Sequence, residues 1–276
     1  MKKLCKSYCV FSFVLLSGFI IIAAVGCKSQ PAASTGGASA GEFAGDGTIV
    51  ITGDPAGKLL DLDFEDPSQP LPFKITKDSN PDSCYIGYQD GKLLVTSRVT
   101  TQRPWMVTTP LLDKEIRDFF WQFDYTPNSN HWDSVQIVFR SVGGSHTSAY
   151  HIHIHGTAAL GFANSTTNLA KNNDNIQVHS VYGMEMVNGV LMERKRNIDS
   201  ARLDWWTPGR TAVFRIVAEG DKCRIWIWRK GQQMPAKPMF DFIMDIPELS
   251  TGDFMFVLWE GNFMLDNMVI FDRAIP

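Results

Sequence analysis

The sequence predicts an all-β fold: an antiparallel, two-sheet jelly-roll sandwich that follows an N-terminal signal peptide and a flexible tether. Three observations predict the sandwich. Apolar and polar side chains alternate with a period of two in many short segments. Asn-Gly, Asp-Gly and Gly-Asp pairs, which suit tight hairpin turns, separate several of these segments. The sequence has no convincing amphipathic helix of three turns, and closely spaced strands without intervening helices indicate a sandwich or jelly roll.

The first element is a signal peptide over residues 1–26. A basic head with three lysines precedes an apolar run from Val10 to Gly26, which is the order typical of secretory signals. The stretch AAVGC resembles the lipobox of bacterial lipoproteins, with Ala24 where leucine is commonest. That resemblance implies cleavage before Cys27 and lipidation of Cys27. The alternative is an uncleaved transmembrane anchor, because the run nearly reaches the length that spans a bilayer.

The second element, residues 27–47, is predicted to be a lipidated flexible linker, since it is rich in Ser, Gly, Ala and Thr. Residues 48–276 have a globular composition and a length that is ordinary for one β-sandwich. We therefore expect a domain held outside the cytoplasm, in the cell envelope, by a lipid anchor in a bacterial membrane. A formal net charge of -3 leaves no basic surface that would indicate nucleic acid as a partner.

The predicted domain holds two cysteines, Cys84 and Cys223, once Cys5 and Cys9 are assigned to the signal peptide and Cys27 to the lipid. An extracytoplasmic compartment permits a disulfide between them. Two buried thiols are the alternative, and the sequence leaves both open.

The predicted strands follow one another along the domain, and turn pairs separate several of them. The strands are GKLLVTSRV, DFFWQFDYTP, DSVQIVFRS, AYHIHIHG, TAVFRIVAEG, CRIWIWRKG, DFMFVLWEG and NFMLDNMVIFD. The turn pairs are Asp90-Gly91, Asn188-Gly189, Gly220-Asp221 and Gly261-Asn262. Residues 185–196 fit a helix or a hairpin, and we predict a hairpin because Asn188-Gly189 lies in the middle.

Three segments resemble the concanavalin A-like lectin and glucanase superfamily. They are LDLDFEDPSQPLPFKI as an opening strand, TPGRTAVFRIVAEGDKCRIWIWRKGQ as a hairpin and DFMFVLWEGNFMLDNMVIFD as a closing pair. The resemblance extends from Leu59 to Asp272 and includes laminin-G-like modules, carbohydrate-binding modules and 3-keto-disaccharide hydrolase domains. It implies a jelly roll that handles saccharides on a concave sheet, often with a structural calcium ion elsewhere.

The segment YHIHIHG, residues 150–156, has the most distinctive polar pattern in the chain. Because side chains alternate between the faces of a strand, His151, His153 and His155 share one face. The tyrosine and the two isoleucines share the other face, which must meet the core. We therefore expect the three histidines to point outward into solvent.

The preceding segment DSVQIVFRS alternates in the same way, with Gln136 and Arg140 outward. The short VGGSHTS connection predicts an antiparallel hairpin with the histidine strand. The predicted register sets Arg140 opposite His151 and Gln136 opposite His155. This register gives a polar patch of imidazoles, a guanidinium and an amide.

The patch could hold a metal ion or act in catalysis. The first and third histidines are too far apart to share an ion readily, so a metal site would need a further ligand from another strand. The sequence does not point to one. The predicted domain, residues 48–276, also has neither a Gly-x-Ser-x-Gly elbow nor a Glu-x-Asp-x-x-Glu strand, and the absence of the second motif argues against a glucanase. If the protein is an enzyme, we expect a glycoside hydrolase in which the histidine, arginine and Glu185 or Glu260 supply acid and base.

Sugar binding fits the residue types better, because carbohydrate sites combine flat apolar faces with directional polar groups. In CRIWIWRK, tryptophans alternate with isoleucines, and either set could face the core. If the isoleucines do, the tryptophans form an exposed stacking platform. The predicted ligand-binding residues are Trp132, Gln136, Arg140, His151, His153, His155, Trp226 and Trp228.

Acidic residues near the ends of the domain, Asp63, Glu65 and Asp266, are weak candidates for a structural calcium site. Solvated turns and edges are the preferred alternative, and no cofactor is firmly implied. The sequence therefore predicts a membrane-anchored glycan-binding module whose partners are a glycan or polysaccharide and, through Cys27, the membrane. The alternatives are a glycoside-active hydrolase resembling the 3-keto-disaccharide hydrolases, and an envelope adhesion or scaffold module.

Overall fold

Seventeen strands and two short 3-10 helices make up the secondary structure that the computed structural model describes. The described residues are 57–77, 84–97, 106–128, 134–155, 175–258 and 261–272, together with the backbone of strands at 42–43 and 49–50. The signal peptide, Cys27, Trp132 and Glu260 lie outside the described residues. Within the described part, none of the helices has the length and apolar character needed to cross a bilayer.

The strands are short, as the period-two pattern predicts. In chain order they are β1 (Glu42–Phe43), β2 (Ile49–Val50), β3 (Lys58–Leu62), β4 (Ile75–Lys77), β5 (Cys84–Gln89), β6 (Lys92–Ser97), β7 (Met106–Thr108), β8 (Phe119–Pro127), β9 (Ser134–Ser141), β10 (Ser148–His155), β11 (Ile176–Val187), β12 (Val190–Ala201), β13 (Ala212–Glu219), β14 (Lys222–Arg229), β15 (Phe240–Ile243), β16 (Asp253–Leu258) and β17 (Gly261–Phe271). The 3-10 helices are Val142–Gly144 and Pro247–Leu249.

These strands form two antiparallel sheets, which confirms the predicted fold class. A seven-stranded sheet has the order β12-β11-β10-β9-β16-β7-β4, and an eight-stranded sheet has the order β15-β14-β13-β8-β17-β6-β5. The eighth strand of the latter, β3, pairs with the second half of β17, beside β6. The first and last strands of the sandwich are therefore neighbours. Strands β1 and β2 pair separately.

The core lies between the two sheets and is rich in aromatic side chains. Trp121 of β8 lies 4.8 Å from Phe254 and 5.9 Å from Phe256 of β16, measured between ring centroids. Phe119 packs edge-on against Phe254 at 4.8 Å. Edge-to-face and tilted pairs at these distances are favourable beyond the area that they bury. The alternating apolar residues of both sheets supply this core, which is why the period-two pattern identified the strands.

Three predicted turn pairs are confirmed. Asp90-Gly91 joins β5 to β6 and Asn188-Gly189 joins β11 to β12, with all four residues at positive φ between 51° and 79°. Gly220, at a φ of 57°, begins the β13–β14 turn. Asn, Asp and Gly tolerate this backbone region, which two-residue hairpin turns require. Residues 185–196 are consequently a hairpin, as predicted.

The fourth pair, Gly261-Asn262, is not a turn, and that prediction was wrong. Both residues begin β17 and pair with Ser97 and Thr96 of β6. A Cβ atom at Gly261 would lie 3.0 Å from Cγ2 of Val135. This glycine therefore serves close packing between the sheets rather than a turn.

The two cysteines of the sandwich do not form a disulfide with each other. Cys84 begins β5 and Cys223 lies in β14, and these strands are five positions apart in the eight-stranded sheet. Strands about 4.8 Å apart place the two residues roughly 24 Å from each other, whereas a disulfide needs Cα atoms about 6 Å apart. Cys223 is buried in the core, and burial raises the pKa of its thiol.

Candidate functional site

The histidine strand β10 has the predicted orientation but not the predicted exposure. Tyr150, Ile152 and Ile154 belong to the core between the sheets, so the histidines lie on the outer face of the seven-stranded sheet. His151 is 0 % exposed and His153 is 5 % exposed. The expectation that these side chains meet solvent was therefore wrong. His155, at the end of the strand, is partly exposed.

The hairpin between β9 and β10 is confirmed, but the predicted register was wrong by two residues. His151 lies opposite Val138, His153 opposite Gln136 and His155 opposite Ser134. A shift of two preserves the face on which each side chain lies. Gln136 is therefore on the histidine face, as predicted, but beside His153.

Arg140 does not belong to the histidine face, and its assignment to the ligand site was wrong. Its φ of 49° interrupts the alternation of β9. The side chain is 1 % exposed, and its Nη2 donates to the carbonyl oxygens of Arg117 at 2.8 Å and Gly220 at 2.6 Å. These carbonyls lie next to the end of the eight-stranded sheet. Arg140 therefore connects the two sheets.

A fourth histidine joins the face, one that the sequence analysis missed. His179 of β11 lies directly opposite His151, with the rings stacked at 4.8 Å and 11°. The His153 ring lies 3.9 Å from that of His155 and 5.8 Å from that of His179. We call these four residues the imidazole cluster. The signal was present in IQVHSV, where Ile176 and Val178 face the core and place His179 outward.

Hydrogen bonds fix the ring of His151. Its Nε2 donates to the carbonyl oxygen of His146 at 2.8 Å, and its Nδ1 lies 2.8 Å from the terminal amide of Gln136. A carbonyl oxygen can only accept, so the N–H of a neutral ring is on Nε2. Nδ1 must then accept, which requires the NH₂ group of Gln136 to face it. His153 Nε2 lies 2.7 Å from Oγ of Ser134, a second contact that the sequence analysis missed.

Several buried polar atoms of this face have no hydrogen-bond partner among the described residues. These atoms are His153 Nδ1, His155 Nε2, His179 Nδ1 and Gln177 Oε1. Gln177 lies opposite His153 in β11, on the same face. Leaving one buried polar atom unpaired costs about 1–3 kcal/mol, so four in one place need an explanation. The arrangement is suited to a ligand that both donates and accepts hydrogen bonds.

Burial keeps the imidazole cluster uncharged. It lowers the pKa of His151 to about 3 and that of His155 to about 4, and it lowers the pKa of His153 and His179 well below the usual 6.5. The positive charge of Lys195, on the neighbouring strand β12, lowers all four further. At neutral pH each ring therefore offers one donor and one acceptor.

Beside the imidazole cluster, the outer face of the same sheet is apolar. Val138 lies opposite His151, and Ala149 is two residues before it in β10. With three neighbours from β7 and β16, these residues form a small buried cluster, which we call the apolar floor. Its members are Val107, Val138, Ala149, Met255 and Val257. The face thus combines directional polar groups with a flat apolar surface.

The described residues do not form a metal site. No three His, Cys, Asp or Glu side chains among them converge on a point that could hold an ion. Of the weak calcium candidates, Asp266 has its Oδ2 3.8 Å from Nζ of Lys230, a cation where a second cation would have to bind. Asp63 Oδ1 accepts the backbone N–H of Glu65 at 3.2 Å. Among the described residues, the three candidates do not converge on one point.

The two tryptophans of β14 lie on the opposite side of the sandwich from the histidines. Ile225 and Ile227 face the core, so Trp226 and Trp228 lie on the outer face of the eight-stranded sheet. The two tryptophans nevertheless do not form an exposed row, because Trp228 is 3 % exposed and has the Arg215 guanidinium 5.4 Å from its ring centroid. Trp226 is half-buried against a second apolar cluster. That cluster contains Phe120, Val217, Val269 and Phe271.

Of the predicted ligand-binding residues, the structure brings together Gln136, His151, His153 and His155.

Comparisons with known proteins bear on the fold. No protein-family model matches the chain, and no curated protein matches its sequence.

Lectin II from Ulex europaeus is 11% identical to this chain, with a TM-score of 0.51 over 77% of this chain and 97% of the lectin. The metal-free VIP36 exoplasmic/lumenal domain is 11% identical, with a TM-score of 0.49 over 80% of this chain and 93% of that domain. The carbohydrate-binding module CBM66 from Bacillus subtilis is 13% identical, with a TM-score of 0.44 over 72% and 95%. The chain thus shares the sandwich fold of lectin II, and an identity this low shows the fold alone.

Proposed function

We propose that the protein binds a glycan on the outer face of its seven-stranded sheet. One observation carries the proposal: four buried polar atoms of His153, His155, His179 and Gln177 have no partner among the described residues. Sugar hydroxyl groups both donate and accept, so they can pair with imidazole nitrogens and with an amide oxygen. A structural module without a ligand would bear the cost of these unpaired atoms and gain nothing from them.

The apolar floor supports the same proposal. Ligand sites usually combine a mostly apolar lining with a few well-placed polar groups. Partly exposed His155 is where the imidazole cluster comes closest to the surface. Lectin II, whose fold this chain shares, is named as a sugar-binding protein, and the proposal adopts that ligand class.

Binding is favoured over hydrolysis, the second function considered. Hydrolysis needs a general acid near the scissile bond. The imidazole cluster is neutral, and Lys195 is the charged group that acts on all four rings. Glu185, six residues beyond His179 in β11, lies about 20 Å away along the strand. It is therefore too distant to act with the cluster.

The proposal includes the location of the protein. The order of basic head, apolar run and small residues before Cys27 supports an extracytoplasmic domain that a lipid on Cys27 holds at a bacterial membrane. Mass spectrometry of the protein purified from membranes tests this part separately. We expect a mature N-terminus at a diacylated Cys27, and an intact residue 1 would contradict it.

A glycan panel tests binding directly. Detergent-solubilised protein is titrated against the panel with and without a chelator. We expect binding to at least one glycan, unchanged by the chelator because the described residues hold no metal-ligand cluster. His155→Ala should weaken binding at least about tenfold.

The matched control is Trp226→Phe, which alters the opposite face of the sandwich and should leave binding unchanged. Absence of binding to every glycan in the panel would refute the proposed function. Equal losses in the two variants would show that the ligand does not bind on the histidine face.

A further inference from the structure

The hairpin of β11 and β12 extends beyond the seven-stranded sheet as a two-stranded arm. Pairing between β10 and β11 ends at Ser148 and Tyr182, whereas β11 and β12 continue to pair as far as Val187 and Val190. Beyond Tyr182, β11 therefore has β12 as its one neighbouring strand in the described part of the chain. We call residues 183–194 the arm and residues 186–192 its tip.

The arm holds most of the exposed large apolar side chains in the described part of the chain. Eight large hydrophobic residues are exposed in the described structure, and six of them belong to the arm. They are Met184 (42%), Met186 (65%), Val187 (38%), Val190 (60%), Leu191 (58%) and Met192 (49%). The tip sequence, MVNGVLM, contains no charge. An exposed apolar concentration of this kind indicates an interaction surface.

The tip is apolar on both of its faces. Residues directly opposite each other in a hairpin share a face, and successive pairs alternate. Met186 pairs with Leu191 on one face, and Val187 pairs with Val190 on the other. The charged residues Glu185, Glu193 and Arg194 flank the tip, nearer the sheet. Polarity therefore changes along the length of the arm and not across its width.

The presence of apolar side chains on both faces of the tip indicates which kind of partner can cover it. A globular protein docking on a hairpin would cover one face and leave the other apolar face in water. A second copy could instead pair along the free edge of β12, but charged residues at 193–196 occupy that edge and oppose strand pairing. A lipid layer surrounds whatever enters it, so it can cover both faces of the tip at once.

We propose that the arm inserts its tip into the lipid–water interface of a membrane. The four cross-strand pairs of the hairpin from Met184 to Val187 span about 10 Å, which matches the depth of about 5–10 Å reached by interfacial segments. The basic run Arg194, Lys195 and Arg196 begins two residues after the tip and would lie at the level of the lipid phosphates. Arg194 and Lys195 complement the phosphate charge, whereas Arg196 pairs with Asp245. Arg194 also lies 4.6 Å over the ring of Tyr182, an aromatic side chain suited to the same level. This proposal does not depend on glycan binding.

A fluorescent probe at the tip tests the insertion. The full chain, with an environment-sensitive fluorescent amino acid at Val190, is reconstituted into vesicles of phosphatidylcholine and phosphatidylglycerol, some containing lipids brominated on their acyl chains. We expect a blue shift and strong quenching at this position. The same probe at Gln233, an exposed residue in the turn after β14, should show neither. Because the Gln233 probe is in the same chain, any membrane anchor elsewhere affects both measurements alike.

A charge-neutral variant separates insertion from stability. Met186→Glu with Leu191→Lys puts an ion pair across the hairpin, which retains the hairpin and the net charge but removes the apolar character of one face. We expect the inserted fraction of tips to fall at least about tenfold, with an unchanged melting temperature. The matched control, Gln232→Glu with Gln233→Lys, should retain full quenching at position 190.

Two results would overturn the proposal. One is equal quenching at positions 190 and 233, or none at 190. The other is a blue shift at position 190 without vesicles that grows with protein concentration, since that would show a second copy covering the tip.

Discussion

Both outer faces of the sandwich carry buried polar groups, but the faces differ in how these groups are paired. On the eight-stranded sheet, Asp124 Oδ2 lies 2.6 Å from Nζ of Lys230 and accepts from Nδ2 of Asn267 at 2.9 Å. Arg215 Nε donates to Oε1 of Gln122 at 2.8 Å. Apart from the indole nitrogen of Trp226, the polar side chains of this face that we describe have partners.

On the seven-stranded sheet, the imidazole cluster and Gln177 leave four buried atoms unpaired among the described residues. The difference distinguishes buried polar groups that stabilise a sheet from buried polar groups that are available to a ligand. Paired groups hold a surface together, whereas unpaired groups cost stability unless a ligand joins them. Three predictions test this contrast, from the largest expected effect to the smallest.

The largest effect is that of pH on stability. The pKa of each histidine in the cluster is lower in the folded protein than the usual 6.5, so the unfolded chain binds more protons below pH 6.5. The histidines' contribution is therefore complete above that pH and is lost as the pH falls from 6.5 towards 4. Buried Asp253 acts in the opposite direction, because burial raises its pKa to about 7.

On unfolding in this pH range, the four histidines take up about four protons and Asp253 releases about one, a net uptake of about three. The free energy of unfolding should therefore fall by at most about 4 kcal/mol for each unit by which the pH is lowered. Urea unfolding at a series of pH values measures this slope. The variant His179→Leu should reduce it by about 1.4 kcal/mol per pH unit. A flat profile between pH 6.5 and 5 would show that the histidines are solvated in the folded protein.

The second effect concerns the paired face. Arg215 is 4 % exposed, and its guanidinium lies 5.3 Å from the Phe120 ring as well as beside Trp228. Arg215→Met removes the guanidinium, and with it both ring contacts and the hydrogen bond to the buried Oε1 of Gln122. We expect a loss of about 3 kcal/mol in the free energy of unfolding, measured by urea titration, and unchanged glycan binding. A small loss would mean that pairing on this face contributes little.

The smallest effect on stability is expected on the unpaired face. His179→Leu replaces a ring whose buried Nδ1 has no partner among the described residues with an apolar side chain of similar size. The free energy of unfolding at pH 7 should change by less than about 1 kcal/mol, or rise, while glycan binding falls at least about tenfold. A loss as large as that of Arg215→Met would contradict the contrast between the faces.

Sequence reasoning could predict which face each side chain of a strand occupies. The alternation in residues 150–155 was sufficient to place the histidines opposite Ile152 and Ile154, and the same rule applied to residues 176–181 would have found His179. It could not predict sheet membership, because period two is the same in both sheets. Trp226 was therefore grouped with the histidines although it lies on the other sheet.

The alternating pattern also could not predict the register of β9 with β10 or the burial of the outward-facing histidines. The positive φ of Arg140 ends the regular alternation of β9, and no feature of DSVQIVFRS indicates it. Alternation likewise shows that a side chain points away from the core, but it carries no information on whether other parts of the chain cover that face. The expected solvent exposure of His151 and His153 failed for this reason.

The position of β17 determines when the sandwich can form. β17 lies between β8 and the pair β6 and β3, although it is the last strand in the sequence. Synthesis delivers a chain from its N-terminus, so β8, β6 and β3 keep open edges until about residue 271 has emerged. Such long-range pairing makes folding slow, and the eight-stranded sheet closes in one late step. This order suits the proposed export, in which a chain that crosses a membrane unfolded completes its fold only on the far side.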